Sequence, residues 1–249
     1  MFEINCLGVG KTFHSEDKST NRVALSNLNA LFPAGKISAV IGESGCGKTT
    51  LLRILAGLVA PDSGAVHYRD VSTSQNRSPK IAMVFQEPRL FPWLTVEENI
   101  ALAVRDLPEK ERKARVHETL SVVGLAERNR ALVNEISGGM AQRAGFARAL
   151  VSKPDILFLD EAFSALDALT RDRLRNEFVR IWHARPMTVV LVTHDVWEAV
   201  LLSDTVFKLS AGKLNEVAQI DAPYPRRMDA AHLAHKAAIL LQSFFGAKD

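Results

Sequence analysis

Apolar and polar positions along this chain follow two rhythms, and the switches between them divide it into segments. Phe2 to Val9 alternates loosely and reads as a strand with an exposed face. The polar stretch His14 to Asn21 predicts a hairpin loop. Val23 to Phe32 resumes a strand pattern, closed by the turn Pro33-Ala34-Gly35. Lys36 to Ile41 reads as a buried strand, and Thr50 to Ala56 as a helix. After a turn at Pro61-Asp62-Ser63-Gly64 comes a short strand, Ala65 to Arg69, then a polar connection from Asp70 to Pro79. Lys80 to Phe85 is another buried strand, ending at Gln86. From Thr95 to Leu150 helical spacing takes over, at Val96, Ile100 and Val104, then Val116, Leu120 and Val123. Strands return at Ile156 to Leu159 and Val189 to Val192, both continuous apolar runs such as a parallel strand covered on both faces requires. Helices between them make right-handed crossovers. Asp229 to Phe245 reads as an amphipathic helix.

This order predicts an α/β fold with a helical insertion. Composition narrows it. The chain has 249 residues, 47% of them apolar, and a net charge of +3, which suits one large domain and is too weak to argue for nucleic acid. Its two cysteines, Cys6 and Cys46, make no disulfide framework and point to a reducing compartment. No run approaches the roughly 18 apolar residues of a membrane span. Met1-Phe2-Glu3-Ile4-Asn5 lacks the regions of a signal peptide. The expectation is a cytosolic chain that reaches a membrane only through a partner.

The candidate chemistry begins at Gly42-Glu43-Ser44-Gly45-Cys46-Gly47-Lys48-Thr49, which fits G-x-x-x-x-G-K-[ST] at each fixed position between a strand and a helix. Glycines let backbone N–H groups turn toward phosphates, and the helix N-terminus, with Thr50 next in line, adds a favourable dipole. Lys48 is placed to reach the β- and γ-phosphates, and the Thr49 hydroxyl to ligate Mg²⁺. Asp160 and Glu161 end the strand Ile156 to Leu159, at the sheet edge where α/β folds bind ligands. Asp160 can hold Mg²⁺ and Glu161 can act as general base on water; alternatively the pair caps the next helix. His194 follows the strand Val189 to Thr193 at the same edge and can sense a γ-phosphate, although a lone histidine is usually a surface residue. Gln86 ends its strand in the same way, where an amide can ligate Mg²⁺ or orient water. Ser137-Gly138-Gly139 opens a helix and by itself reads as an ordinary cap.

Ser137-Gly138-Gly139-Met140-Ala141-Gln142-Arg143, lying between the helical insert and the Asp160 strand, resembles the signature sequence of ABC-type ATPases. The remaining motifs of that family stand in order along nearly the whole chain. The resemblance implies a P-loop NTPase (RecA-like) core with a mostly parallel sheet, an N-terminal antiparallel β-subdomain and an inserted α-helical subdomain. The core would span 1–87 and 151–249, the helical subdomain 88–150. It implies Phe13 stacked on adenine and Gly42 to Thr49 around the phosphates. Gln86 falls in the coupling loop, Asp160 on Mg²⁺, and Glu161 and His194 at the reaction. It also implies a head-to-tail homodimer in which each ATP meets Ser137, Gly138, Gly139 and Asp167 of the second subunit. Two positions depart from the common pattern: Met140 stands where glutamine is usual, and Phe13 where tyrosine is common, so stacking survives without the hydroxyl.

Within that family, a lone ATPase domain favours an importer subunit working with separate integral membrane permeases and, indirectly, a solute-binding protein. The chain would then sit on the inner face of the cell membrane. Gln86 to Val96 with Asn99 resembles the nitrate, sulfonate and taurine importer ATPases. The apolar cluster Leu90, Phe91, Pro92 and Trp93 can line a groove for a permease helix or plug the space between subdomains. Cys46, at a helix N-terminus, is expected to be slightly acidified or simply space-filling. A soluble non-transport ABC ATPase and a P-loop kinase are the competing readings. The first usually carries tandem domains, coiled coils or a zinc module. The second needs no water-activating base beside Asp160.

Overall fold

The computed structural model describes residues 1–14, 21–73, 77–228 and 230–245. Parts of two expected connections, 15–20 and 74–76, and Asp229 lie outside them. The strands are β1 (Phe2–His14), β2 (Asn21–Phe32), β3 (Ile37–Ile41), β4 (Ser63–Asp70), β5 (Ile81–Val84), β6 (Ile156–Asp160), β7 (Thr188–Thr193), β8 (Thr205–Ser210) and β9 (Lys213–Gln219). The helices are α1 (Lys48–Leu55), α2 (Val96–Ala101), α3 (Glu109–Val122), α4 (Gly138–Val151), α5 (Ala168–Ala184), α6 (Val196–Leu202) and α7 (Ala231–Phe245). They form two compact units, Met1–Pro79 with Pro186–Asp249, and Lys80–Arg185.

The first unit holds an antiparallel sheet ordered β2-β1-β4 and a second run ordered β7-β3-β8-β9, parallel except at β9. All five residues of β3 and all six of β7 are buried, as the buried-strand reading of the first and the continuous apolar run of the second require. Their register pairs Ile41 with Thr193, so the residues that follow, Gly42 and His194, leave the sheet side by side. Helix α6 packs on β3 and β7, and α7 on α6.

The second unit pairs β5 and β6 in parallel, with Val84 opposite Leu159. Helices α2, α3 and α4 pack on one another, and Phe146, Phe163 and Phe178 form an aromatic cluster with centroids 5.7–6.3 Å apart. A capping box starts α2: the Thr95 hydroxyl accepts from the Glu98 N–H, and the Glu98 carboxylate accepts from the Thr95 N–H at 2.8 Å. Strand β5 stops at Val84, so Gln86 lies two residues beyond its end rather than on it.

Candidate functional site

In the first unit the phosphate loop is built by backbone geometry. Gly47 precedes α1 with φ at 109°, and a Cβ there would stand 2.6 Å from the Ala24 carbonyl oxygen. Only glycine accommodates both constraints. The Leu51 N–H donates to the Gly47 carbonyl at 2.8 Å, starting the helix ladder and leaving the first N–H groups aimed outward. Lys48 is 6% exposed, and its ammonium donates to the carbonyls of Gly42 and Glu43, each at 2.8 Å. Both acceptors are neutral, so the positive charge remains available to an anion. Glu43, Ser44 and Gly45 are exposed; Thr49 and Thr50 are half-buried at the start of α1.

Cys46 corrects one expectation. Its thiol is pushed up, not acidified: burial outweighs the lowering by Lys48 and the loop N–H groups. Phe13, near the end of β1, is 44% exposed and stands opposite Arg22 of β2. His194 is exposed, next to the N-cap of α6, where Asp195 accepts from Trp197 N–H at 2.8 Å and Glu198 N–H at 3.3 Å.

In the second unit Asp160 is the last residue of β6 and 3% exposed. Glu161 follows with φ at 47°, an uncommon backbone conformation for a side-chain-bearing residue and of the kind that clusters at functional positions. Its carbonyl accepts from the Ser164 hydroxyl at 2.8 Å. Neither carboxylate caps a helix, because the next one, α5, is capped by Asp167, which accepts from the Thr170 N–H at 3.0 Å. The Gln86 amide donates to a Glu161 carboxylate oxygen at 3.3 Å. These two candidates are therefore in contact.

Ser137 is the N-cap of α4, its hydroxyl accepting from the Met140 N–H at 3.3 Å, so the helix begins at Gly138 rather than Met140. Gln142 of the same helix carried no role in the sequence reading. It is 1% exposed and donates to the carbonyls of Phe85 at 3.2 Å and Ala162 at 3.1 Å, bracing the segments that carry Gln86 and Glu161. Arg148 adds donations to Pro88 at 2.8 Å and Arg89 at 2.9 Å. The sequence holds no sign of this bracing, because it depends on which carbonyls the amide reaches.

A phosphate loop between a buried parallel strand and a helix, in an α/β chain with a glycine-led signature helix, defines a P-loop nucleotide-binding cassette. The family model described as ABC transporter matches residues 25–164, and the chain belongs to that family. It is 43% identical to an aliphatic sulfonates import ATP-binding protein of Rhizobium johnstonii, over 98% of this chain and 86% of that one. It is 41% identical to the protein of the same description from Bacillus cereus, over 95% and 94%. A bicarbonate transport ATP-binding protein of Synechococcus elongatus is 45% identical over 84% of this chain, which spans only 33% of that longer relative. Among solved structures, a dimeric ATP-binding cassette in a post-hydrolysis state with ADP and Pi superposes with a TM-score of 0.78 at 28% identity, covering 88% of this chain and all of the other.

Proposed function

We propose that the chain is the ATP-hydrolysing subunit of a bacterial importer, driving a small solute of the sulfonate, taurine, nitrate or bicarbonate kind through a separate membrane permease. One observation carries this reading: end-to-end similarity to a sulfonate importer's ATP-binding protein, 43% over 98% of the chain. Among the described residues no helix is long and apolar enough to cross a membrane, which agrees with a separate permease.

In this reading the loop N–H groups and Lys48 bind the β- and γ-phosphates. Thr49, Gln86 and Asp160 offer a hydroxyl, an amide and a carboxylate, oxygen donors of the kind Mg²⁺ prefers. The ion would offset charge on the phosphates. Glu161 takes a proton from the attacking water, and the Gln86 amide on its carboxylate holds it oriented until then. His194, leaving the sheet beside Gly42, hydrogen-bonds the γ-phosphate. The N–H groups of Ser137, Gly138 and Gly139, with Asp167, meet the nucleotide of a second copy; the dimeric form of similar cassettes supports this.

Trp93 is 70% exposed and Phe91 42%, their rings 5.4 Å apart. Such exposure favours a docking role for a permease helix over an internal plug. A pull-down of the tagged chain from detergent-solubilised membranes of its host tests the proposal. Recovery of a multi-span permease supports it. Recovery of only soluble proteins, ribosomes or DNA favours a non-transport ABC ATPase.

A further inference from the structure

Strand β2 touches the phosphate loop at two points. The Ala24 carbonyl oxygen stands 2.6 Å from where a Gly47 Cβ would lie, so the strand backbone seats the loop's end. Two residues earlier in both strand and loop, the Arg22 guanidinium donates to the Gly45 carbonyl. A Cβ at Gly45 would lie 2.8 Å from that guanidinium's Nη2, and φ at 76° favours glycine there. Arg22 is also the cross-strand partner of Phe13. The expected base-stacking residue and a cation fastened to the phosphate loop thus share one rung of one hairpin.

We propose that Arg22 is a nucleotide-binding residue: it fixes the loop through Gly45 and supplies the polyphosphate with a second positive charge beside Lys48. This rests on the reading of Gly42 to Thr49 as the phosphate site. Two physical effects act together. The hydrogen bond from the guanidinium to the Gly45 carbonyl ties the phosphate loop to β2 and restrains its shape before an anion arrives. The guanidinium has five N–H donors and is exposed, so donors remain for a phosphate oxygen once one is spent on Gly45. The ligand class is a nucleoside di- or triphosphate. Base recognition belongs to Phe13, and Arg22 acts on the phosphate side.

That division gives the test. Affinities for ATP, ADP and inorganic tripolyphosphate are measured by calorimetry for the parent chain and for Arg22→Gln, Arg22→Lys, Phe13→Ala and Lys48→Ala. Arg22→Gln is expected to weaken all three ligands by about 3- to 10-fold, as expected for an exposed charge-assisted contact. Arg22→Lys should recover part of that loss, because the charge remains and the planar fork does not. Phe13→Ala should weaken ATP and ADP but leave tripolyphosphate unchanged. Arg22→Gln should melt at the parent's temperature, since the side chain is exposed. Parent-like binding of tripolyphosphate by Arg22→Gln, with binding abolished in Lys48→Ala, overturns the assignment of Arg22 alone. Parent-like binding in Lys48→Ala overturns the phosphate site itself.

Discussion

Lys48 has its ammonium on two neutral carbonyls of its own loop, 2.8 Å from each. A buried cation satisfied only by dipoles gains most when an anion arrives, and so Lys48→Ala should abolish measurable nucleotide binding while leaving the fold intact. Calorimetric titration with ATP checks this. Cys46 gives a pH signature at the same scale. Burial raises its thiol, and the thiolate is the reactive form, so its alkylation should be slower than that of a free thiol at neutral pH and should accelerate as pH rises past the ordinary thiol value. Bound ATP should protect it. Cys6 is buried and pushed up to about 12, so mass spectrometry should find the label on Cys46 alone. A rate that is already maximal at neutral pH, or indifferent to ATP, would contradict this placement.

Among the elements, the segment leading to α7 is fastened mainly by Arg226, with the Tyr224 hydroxyl donating to the Leu202 carbonyl at 2.9 Å beside it. Arg226 is 9% exposed and donates to the carbonyls of Ala222 at 3.0 Å, Val200 at 2.8 Å, Ser203 at 2.5 Å and Ile220 at 2.9 Å. Val200 and Ser203 lie at the C-terminal end of α6, the helix that follows His194. Arg226→Met should cost about 2–4 kcal/mol, because several buried carbonyls lose their donor together, and thermal melting would show it. Nothing in the hydrophobic pattern announced this residue; a polar side chain reaching four carbonyls leaves no periodic trace. The strands that did announce themselves, β3, β6 and β7, are those buried on both faces, where most positions are apolar and, Ser38 apart, the polar ones stand at the ends. Strands β8 and β9 escaped. Their hairpin is short, β9 is half exposed with Lys213, Asn215 and Glu216 outward, and a two-residue turn at Ala211 and Gly212 joins them. Both turn residues have positive φ, 49° and 73°, as a type I′ hairpin requires, and Gly212 was its one legible sign. The candidate site was legible because phosphate chemistry demands particular residue types at fixed spacing. Gln142 and Arg22 were not, since their roles depend on which backbone carbonyl they reach, and spacing carries no record of that.

For the whole molecule, the proposed function depends on surfaces offered to other chains. Trp93→Ala, at 70% exposure, should leave the melting temperature of the isolated chain near the parent's and weaken co-purification with the permease. Undiminished co-purification and transport would assign the exposed aromatic pair another role. The central claim is narrower: water is the phosphate acceptor, and Glu161 activates it. Phosphate release from ATP, with water the only acceptor, compared between the parent chain and Glu161→Gln, tests it most directly. The parent should turn over, and the variant should bind ATP as well as the parent yet hydrolyse it about 10²- to 10⁴-fold more slowly, the usual loss on removing a general base. Near-parental turnover by Glu161→Gln, or no phosphate release by the parent without an added acceptor, would contradict the account.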